Sequence, residues 1–106
     1  MLIERNGKKM KSYYDYNQEQ DKKEVLSIIV KALGSEGFRC SLRNEEDLLN
    51  DEVQLYNSTR FKLTLHNREH LCLSVKSECR VDGAFMSELE SLQRVVLKLK
   101  FALPLF

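Results

Sequence analysis

The stretch FKLTLHNREHLCLSV, residues 61–75, contains two runs in which large apolar side chains alternate with polar ones. Such alternation predicts β-strands with one buried face. Directly opposed residues of an antiparallel pair point to the same face, so the two apolar sets share a core only across a loop of odd length. A three-residue loop at 67–69 therefore predicts a hairpin that pairs Leu65 with Leu71, Leu63 with Leu73, Phe61 with Val75, and His66 with His70.

Shorter alternating runs precede this hairpin. Val53 and Leu55 alternate with polar residues before a polar break at 57–59, and in the segment 38–43 the apolar residues occupy the even positions. Both patterns predict strands, and an acidic connection at 44–51 separates them. We therefore expect an antiparallel sheet of three to four strands.

Helical periodicity is present on both sides of the strands. A first helix is expected from about 18 to 36, because Asn17 can cap it and Gly37 supplies the left-handed residue that often ends a helix. Asp82 can cap a second helix. Apolar positions of this second helix step by four and three residues: Phe85, Leu89, Leu92, Val96, Leu99 and Leu103. The alternation over 97–103 leaves a terminal strand open as an alternative.

The order of these elements predicts an α+β fold. Two helices with one apolar face each need one apolar sheet face to cover, which gives an αβββα-like open-faced sandwich with both helices on the same side. We expect residues 17–106 to form this single domain. Residues 1–16 are polar and basic and carry an Asn6-Gly7 turn signal, so we expect a flexible or hairpin arm there.

Composition excludes several classes of protein. The chain has 106 residues, 42% of them apolar and 31% charged, which is typical of one globular domain rather than a disordered chain. A net charge of +1 gives no overall attraction to nucleic acid or membrane. The three cysteines include no Cys-x-x-Cys pair, and no apolar run resembles a signal peptide or a membrane span. We therefore expect a cytoplasmic protein without a membrane partner.

The sequence offers little material for catalysis. Nucleophilic or acid–base chemistry needs a reactive group and a partner that converge in a pocket. Cys72 and His70 lie two residues apart on one open strand, and no glycine-rich phosphate loop is present. We expect neither enzymatic activity nor a cofactor. His66, His70 and Cys72 are weak candidates for a metal site because opposed strand residues approach each other closely.

Charge is concentrated on the predicted outer face of the sheet. Five basic residues share this face with a single acidic one, Glu52. The pattern indicates a binding surface for an acidic protein or a phosphate backbone, or else a solvated face whose charges prevent edge-to-edge aggregation. Only one aromatic residue is available for base stacking, which favours a protein partner. The candidate binding residues are Arg39, Arg43, Tyr56, Arg60, Lys62 and Lys76.

The C-terminal region has more apolar side chains than one helix stripe needs. The surplus predicts a protein interface, with a homodimer as one form of it, or a more deeply buried helix. Its residues are Val95, Leu97, Phe101, Leu105 and Phe106. We expect a small non-enzymatic regulatory protein of the adaptor or inhibitor type that acts through protein–protein contacts. The alternative is nucleic-acid binding through the basic sheet face.

Overall fold

A computed structural model describes residues 11–67 and 69–103 of the chain. Helix α1 spans Lys11–Gly34, and a short 3-10 helix spans Glu45–Leu49. Strands β1 (Glu52–Asn57), β2 (Phe61–His66) and β3 (His70–Val75) follow, and helix α2 spans Gly83–Ala102. The strands form one antiparallel sheet in the order β1-β2-β3. The predicted α+β fold is confirmed, with three strands rather than four.

The β2–β3 hairpin has the predicted register. Leu65 pairs with Leu71, Leu63 with Leu73, and His66 with His70. Asn67 opens the loop in the left-handed region, with φ 52°, where asparagine is better tolerated than most residues. The burial of the hairpin side chains is less regular than the expected alternation of buried and exposed residues. Leu63 is fully buried and Leu73 is half-buried, as are Lys62 and Ser74 on the opposite face.

Helix α1 begins earlier than its sequence signals indicate. The predicted start near residue 18 is wrong, since the helix extends back to Lys11 and includes residues 11–16 of the predicted arm. No glycine or proline interrupts this stretch, so the capping signal at Asn17 does not force a boundary. Residues 1–10 of the arm lie outside the described part of the chain.

The C-terminal end of α1 has the predicted cap. Gly37 has φ +83°, its N–H donates to the carbonyl of Gly34 at 3.0 Å, and the Phe38 N–H donates to the carbonyl of Leu33 at 2.9 Å. These are the two bonds of a Schellman motif. The Phe38 ring then packs on the Tyr56 ring, with 4.7 Å between centroids. The cap therefore turns the chain directly onto β1.

The segment 38–43 is extended but is not a strand. The predicted sheet of three to four strands therefore has three in the described part of the chain. Its one backbone bond to the sheet runs from the Ser41 N–H to the carbonyl of Leu55, at 2.8 Å. Phe38, Cys40 and Leu42 pack against the core while Arg39 and Arg43 are exposed, so the predicted alternation is still present. Alternation alone therefore does not produce a ladder of hydrogen bonds.

Helix α2 and helix α1 cover the same face of the sheet. The Asp82 carboxylate accepts a bond from the Phe85 N–H at 2.9 Å, which confirms the predicted cap. The helix continues to Ala102, so within residues 97–103 the helix forms and not the strand that was left open as an alternative. One core joins the two helices and the inner face of the sheet. Its fully buried members are Val25, Ile29, Leu33, Leu55, Phe61, Leu63, Leu92, Val95 and Leu99.

A polar bridge fastens the two helices together at one end. Glu36, just after α1, accepts bonds from the Arg94 Nε at 3.1 Å and from the Lys98 Nζ at 3.2 Å. Hydrogen bonds from Arg94 and then Lys98 lower the pKa of the Glu36 carboxyl below its ordinary value. The bridge holds the end of α1 against the C-terminal half of α2.

Candidate functional site

Tyr56 does not lie on the outer sheet face where the sequence predicts it. A β-bulge between Gln54 and Tyr56 shifts the register, so that Tyr56 pairs with Leu63 and shares its core-facing side. The bulged Leu55 is fully buried, and Tyr56 is buried too. A bulge adds one residue to a strand and reverses the expected side for every residue after it. The predicted aromatic member of the outer face is therefore lost.

Arg60 also leaves the outer face. Its Nη1 donates to Glu88 Oε1 of α2 at 3.2 Å, while the Tyr56 hydroxyl donates to Glu88 Oε2 at 2.7 Å. The Glu88 side chain is only 10% exposed. Glu88 was not among the predicted site residues, although it lies three residues after Phe85 and four before Leu92 and so borders the buried stripe of the helix.

The polar contacts set the ionisation of this cluster of Tyr56, Arg60 and Glu88. Burial acts to raise the pKa of Glu88, but hydrogen bonds from Tyr56, Ser58 and Arg60, and the charge of Arg60, outweigh it, and the pKa lies below its ordinary value. Burial and the bond to the Glu88 carboxylate raise the pKa of Tyr56 to about 12. The cluster is a closed structural anchor between the sheet and α2.

The remaining basic residues of the outer face are spread over three segments. Arg39 and Arg43 are exposed on the extended segment, and Lys62 and Lys76 are half-buried on and after the strands. Thr64, at the centre of this face, is almost fully buried, and its hydroxyl lies 3.0 Å from the Nε2 of His66. The face therefore holds four of the predicted cations around a centre that carries no charge.

The three weak metal candidates do not form a site. Within residues 11–67 and 69–103 no group of three or more His, Cys, Asp or Glu side chains is arranged to hold a metal ion. His70 lies 3.4 Å from the Glu69 carboxylate, and the Cys72 Sγ lies 3.6 Å from the Ser74 hydroxyl. These side chains interact with neighbours on their own strand or loop rather than with one another.

The apolar C-terminal residues separate into two groups. Val95 is fully buried in the core, so it is not available to a partner and its assignment to the exposed surface is wrong. Leu97 is 56% exposed and Phe101 is 85% exposed. Because these two lie four residues apart on the helix, they occupy one outward face. Leu105 and Phe106 lie outside the described residues.

A groove adjoins this outward face. It lies between β3 and α2, has a volume of about 290 Å³, and is lined by Leu71, Leu73, Gln93, Val96, Leu97 and Lys100. The alternation in β3 predicts that Leu71 and Leu73 lie in the core and does not predict a groove. The missing information was that β3 is the last strand of the sheet, where a helix covers the inner face incompletely. We call the groove together with Phe101 the apolar surface.

The two edges of the sheet differ. The segment 38–43 runs along the edge of β1 and contributes the bond from Ser41 to Leu55. No described segment pairs with the outer side of β3. Val75, at the end of β3, is 56% exposed although it was predicted to face the core. The open edge of β3 and the groove therefore lie side by side.

Comparison of the sequence and the fold with known proteins gives no indication of function. No family model matches the chain, and no curated protein or solved structure is significantly similar to it. Within the described ranges, neither long helix is apolar enough over a sufficient length to cross a membrane. Function is therefore inferred from the residues of the chain itself.

Proposed function

We propose that this protein is a small non-enzymatic binding protein of the adaptor or inhibitor type, which binds another protein through the apolar surface. The observation that carries the proposal is the pair of exposed side chains Leu97 and Phe101 beside an open groove. Exposed aliphatic and aromatic groups that adjoin a concavity are typical of protein interfaces.

The composition of the surface supports this proposal. Five of the six residues that line the groove carry no charge, and the sixth is Lys100. An interface of this kind gains affinity from a few desolvated anchors and takes its orientation from charges at the rim. Phe101, with its large exposed ring, is the strongest candidate for such an anchor.

The proposal is tested on a partner recovered from the native host by affinity capture and then purified. We expect Leu97→Glu combined with Phe101→Glu to weaken its binding at least tenfold in calorimetry, since truncating an anchor typically costs about 2 kcal/mol or more. The matched control is Arg39→Glu with Lys62→Glu on the outer face, which should leave binding unchanged. Equal binding by all three proteins would contradict the proposal.

A homodimer is the alternative use of the same surface. Light scattering of the wild type and of the Leu97→Glu, Phe101→Glu variant separates the two cases. A dimeric mass that halves in the variant favours self-association, whereas a monomer in both leaves the surface for a different protein.

Nucleic-acid binding through the outer sheet face is the second candidate function. It is favoured by four cations, Arg39, Arg43, Lys62 and Lys76, and weakened by the inward position of Tyr56 and Arg60. Four phosphate contacts would make log affinity for duplex DNA fall against log salt with a slope of roughly −3 to −4. Absence of binding at low salt would exclude it.

We further propose a cytoplasmic location. All three cysteines are free, which is compatible with a reducing compartment. Fractionation of the native host with an antibody against the chain would test this directly.

A further inference from the structure

The outer edge of β3 carries backbone groups that no described segment of the chain uses. The Lys76 N–H donates to the carbonyl of Arg60 at 2.8 Å, so Lys76, and with it Ser74 and Cys72, directs its backbone groups toward β2. In an antiparallel pair the intervening residues direct theirs to the other side. The N–H and C=O groups of Leu71, Leu73 and Val75 therefore point outward from the sheet.

The side chains of these same residues face the groove side of the sheet. Leu71 and Leu73 line the groove, and Val75, which is 56% exposed, continues their row. A strand added beside β3 would place every second side chain next to this row, over the groove. Hydrogen-bonding groups and apolar contacts are thus presented together, in the geometry that strand addition requires.

We infer that the apolar surface binds an extended segment of a different protein, which adds to β3 as a fourth strand. The inference rests on the proposed function and specifies how the partner binds. The segment carries apolar side chains at alternate positions, directed toward the groove, and a carboxylate that meets Lys100.

The position of Lys100 follows from the orientation of α2. Phe85, in the first turn of α2, packs on Phe61 with 4.8 Å between ring centroids, and Phe61 pairs with Val75. The beginning of α2 therefore lies at the Val75 end of β3, and its last turns, including Lys100, lie toward Leu71. Lys100 has no ion-pair partner among the described residues.

Charge argues against a second copy of β3 as the added strand. Strand β3 contains no acidic residue. At near-full overlap, the two antiparallel registers that keep the apolar faces together oppose His70 of one copy to Lys76 or to Ser74 of the other. Neither register provides a carboxylate from β3 for Lys100. A segment of another protein that contains an acidic residue can supply the carboxylate that pairs with Lys100.

The experiment uses a display library of linear peptides of about ten residues, selected on the full-length protein. We expect enriched peptides with alternating apolar residues and an acidic residue. The first variant is Val75→Pro, which removes one outward N–H while the bonds between β2 and β3 stay in place, because proline is tolerated at such edge positions. Its matched control is Val75→Thr, which keeps the N–H and a β-branched side chain.

We expect Val75→Pro to weaken binding of a selected peptide about fivefold or more, with Val75→Thr close to wild type. N-methylation of alternate peptide nitrogens should weaken binding similarly, and hydrogen exchange at Leu71 and Leu73 should slow in the complex. Lys100→Glu should weaken binding of acidic peptides and leave a peptide with glutamine in that place unaffected.

The outcomes separate the binding mode from the binding surface. Binding that is lost in Leu97→Glu but unchanged in Val75→Pro and after N-methylation would overturn strand addition and leave the proposed function standing. Binding that survives Leu97→Glu would overturn both. A dimeric wild type whose β3 amides are already protected from exchange would show that a second copy occupies the edge and would also overturn the inference.

Discussion

On the outer sheet face, two of the six predicted binding residues, Tyr56 and Arg60, are turned toward Glu88 instead. Of the three described residues of the predicted C-terminal interface, Val95 is buried, and the structure adds a groove beside Leu97 and Phe101. The difference shows where sequence patterns fail. The stripe predicted for α2 is buried or half-buried along the helix, with Val95 added to it, whereas a bulge or a strand end redirects single residues of the sheet.

The largest expected effect sharpens the boundary between the apolar surface and the core. Leu99 is fully buried and Leu97 is more than half exposed, although they are two residues apart on one helix. Leu99→Ala should lower the free energy of unfolding by about 2–5 kcal/mol, because it leaves a cavity. The chemically identical change Leu97→Ala should stay within about 0.5 kcal/mol. Urea denaturation measures both, and similar losses would mean that Leu97 belongs to the core.

A second prediction tests whether the bonds to Glu88 hold Tyr56 and Arg60 away from the outer face. Glu88→Ala leaves the buried Tyr56 hydroxyl and Arg60 without their shared acceptor, so we expect a loss of about 1–3 kcal/mol of unfolding free energy. Glu90→Ala is the matched control, since Glu90 is exposed on the same helix and acts on the described residues through its charge near Arg94 rather than through the cluster. If both variants unfold at the same urea concentration, Arg60 belongs to the outer face after all.

The same cluster should make stability depend on pH at both extremes. The lowered pKa of Glu88 gives a contribution that is present above its ordinary value of 4.5 and is lost as the pH falls further. Since the pKa of Tyr56 is raised from 10.0 to about 12, its contribution is present below pH 10 and declines as the pH rises through that range.

Thermal melts of wild type and Glu88→Ala should therefore approach each other as the pH falls below 4.5, because protonation of Glu88 removes its contribution to stability. Tyr56→Phe should make the thermal midpoint depend less on pH above pH 10. A constant difference between wild type and Glu88→Ala at every pH would mean that Glu88 stabilises the fold by packing alone.

The smallest expected effect concerns the cations that remain outside. Arg39→Glu and Lys62→Glu should each change the free energy of unfolding by less than about 0.5 kcal/mol, because neither side chain forms an ion pair within the described residues. A thermal midpoint lowered by many degrees would show that this face carries a structural role. The outer sheet face would then be a structural surface rather than a solvated one.

Much of the fold can be predicted from local signals. The β2–β3 register follows from alternation and loop length, and the caps at Gly37 and Asp82 follow from residue type. The candidate site is less accessible. The inward turn of Tyr56 depends on a bulge that no residue pattern marks, and the groove depends on how far α2 reaches across the last strand. Both are properties of packing between elements that are distant in the sequence.

Because of the bulge, β1 has one residue more than its pairing with β2 uses. Val53 and Gln54 pair with Leu65 and Thr64, and Tyr56 pairs with the next residue, Leu63, as though Leu55 were absent. A deletion of Leu55 would therefore leave the pairs on both sides in phase and remove only a buried side chain and the carbonyl that accepts the Ser41 bond. Deletion of Leu55 should therefore keep the register of the sheet but lower the free energy of unfolding by about 2–5 kcal/mol, because a fully buried side chain is lost from the core.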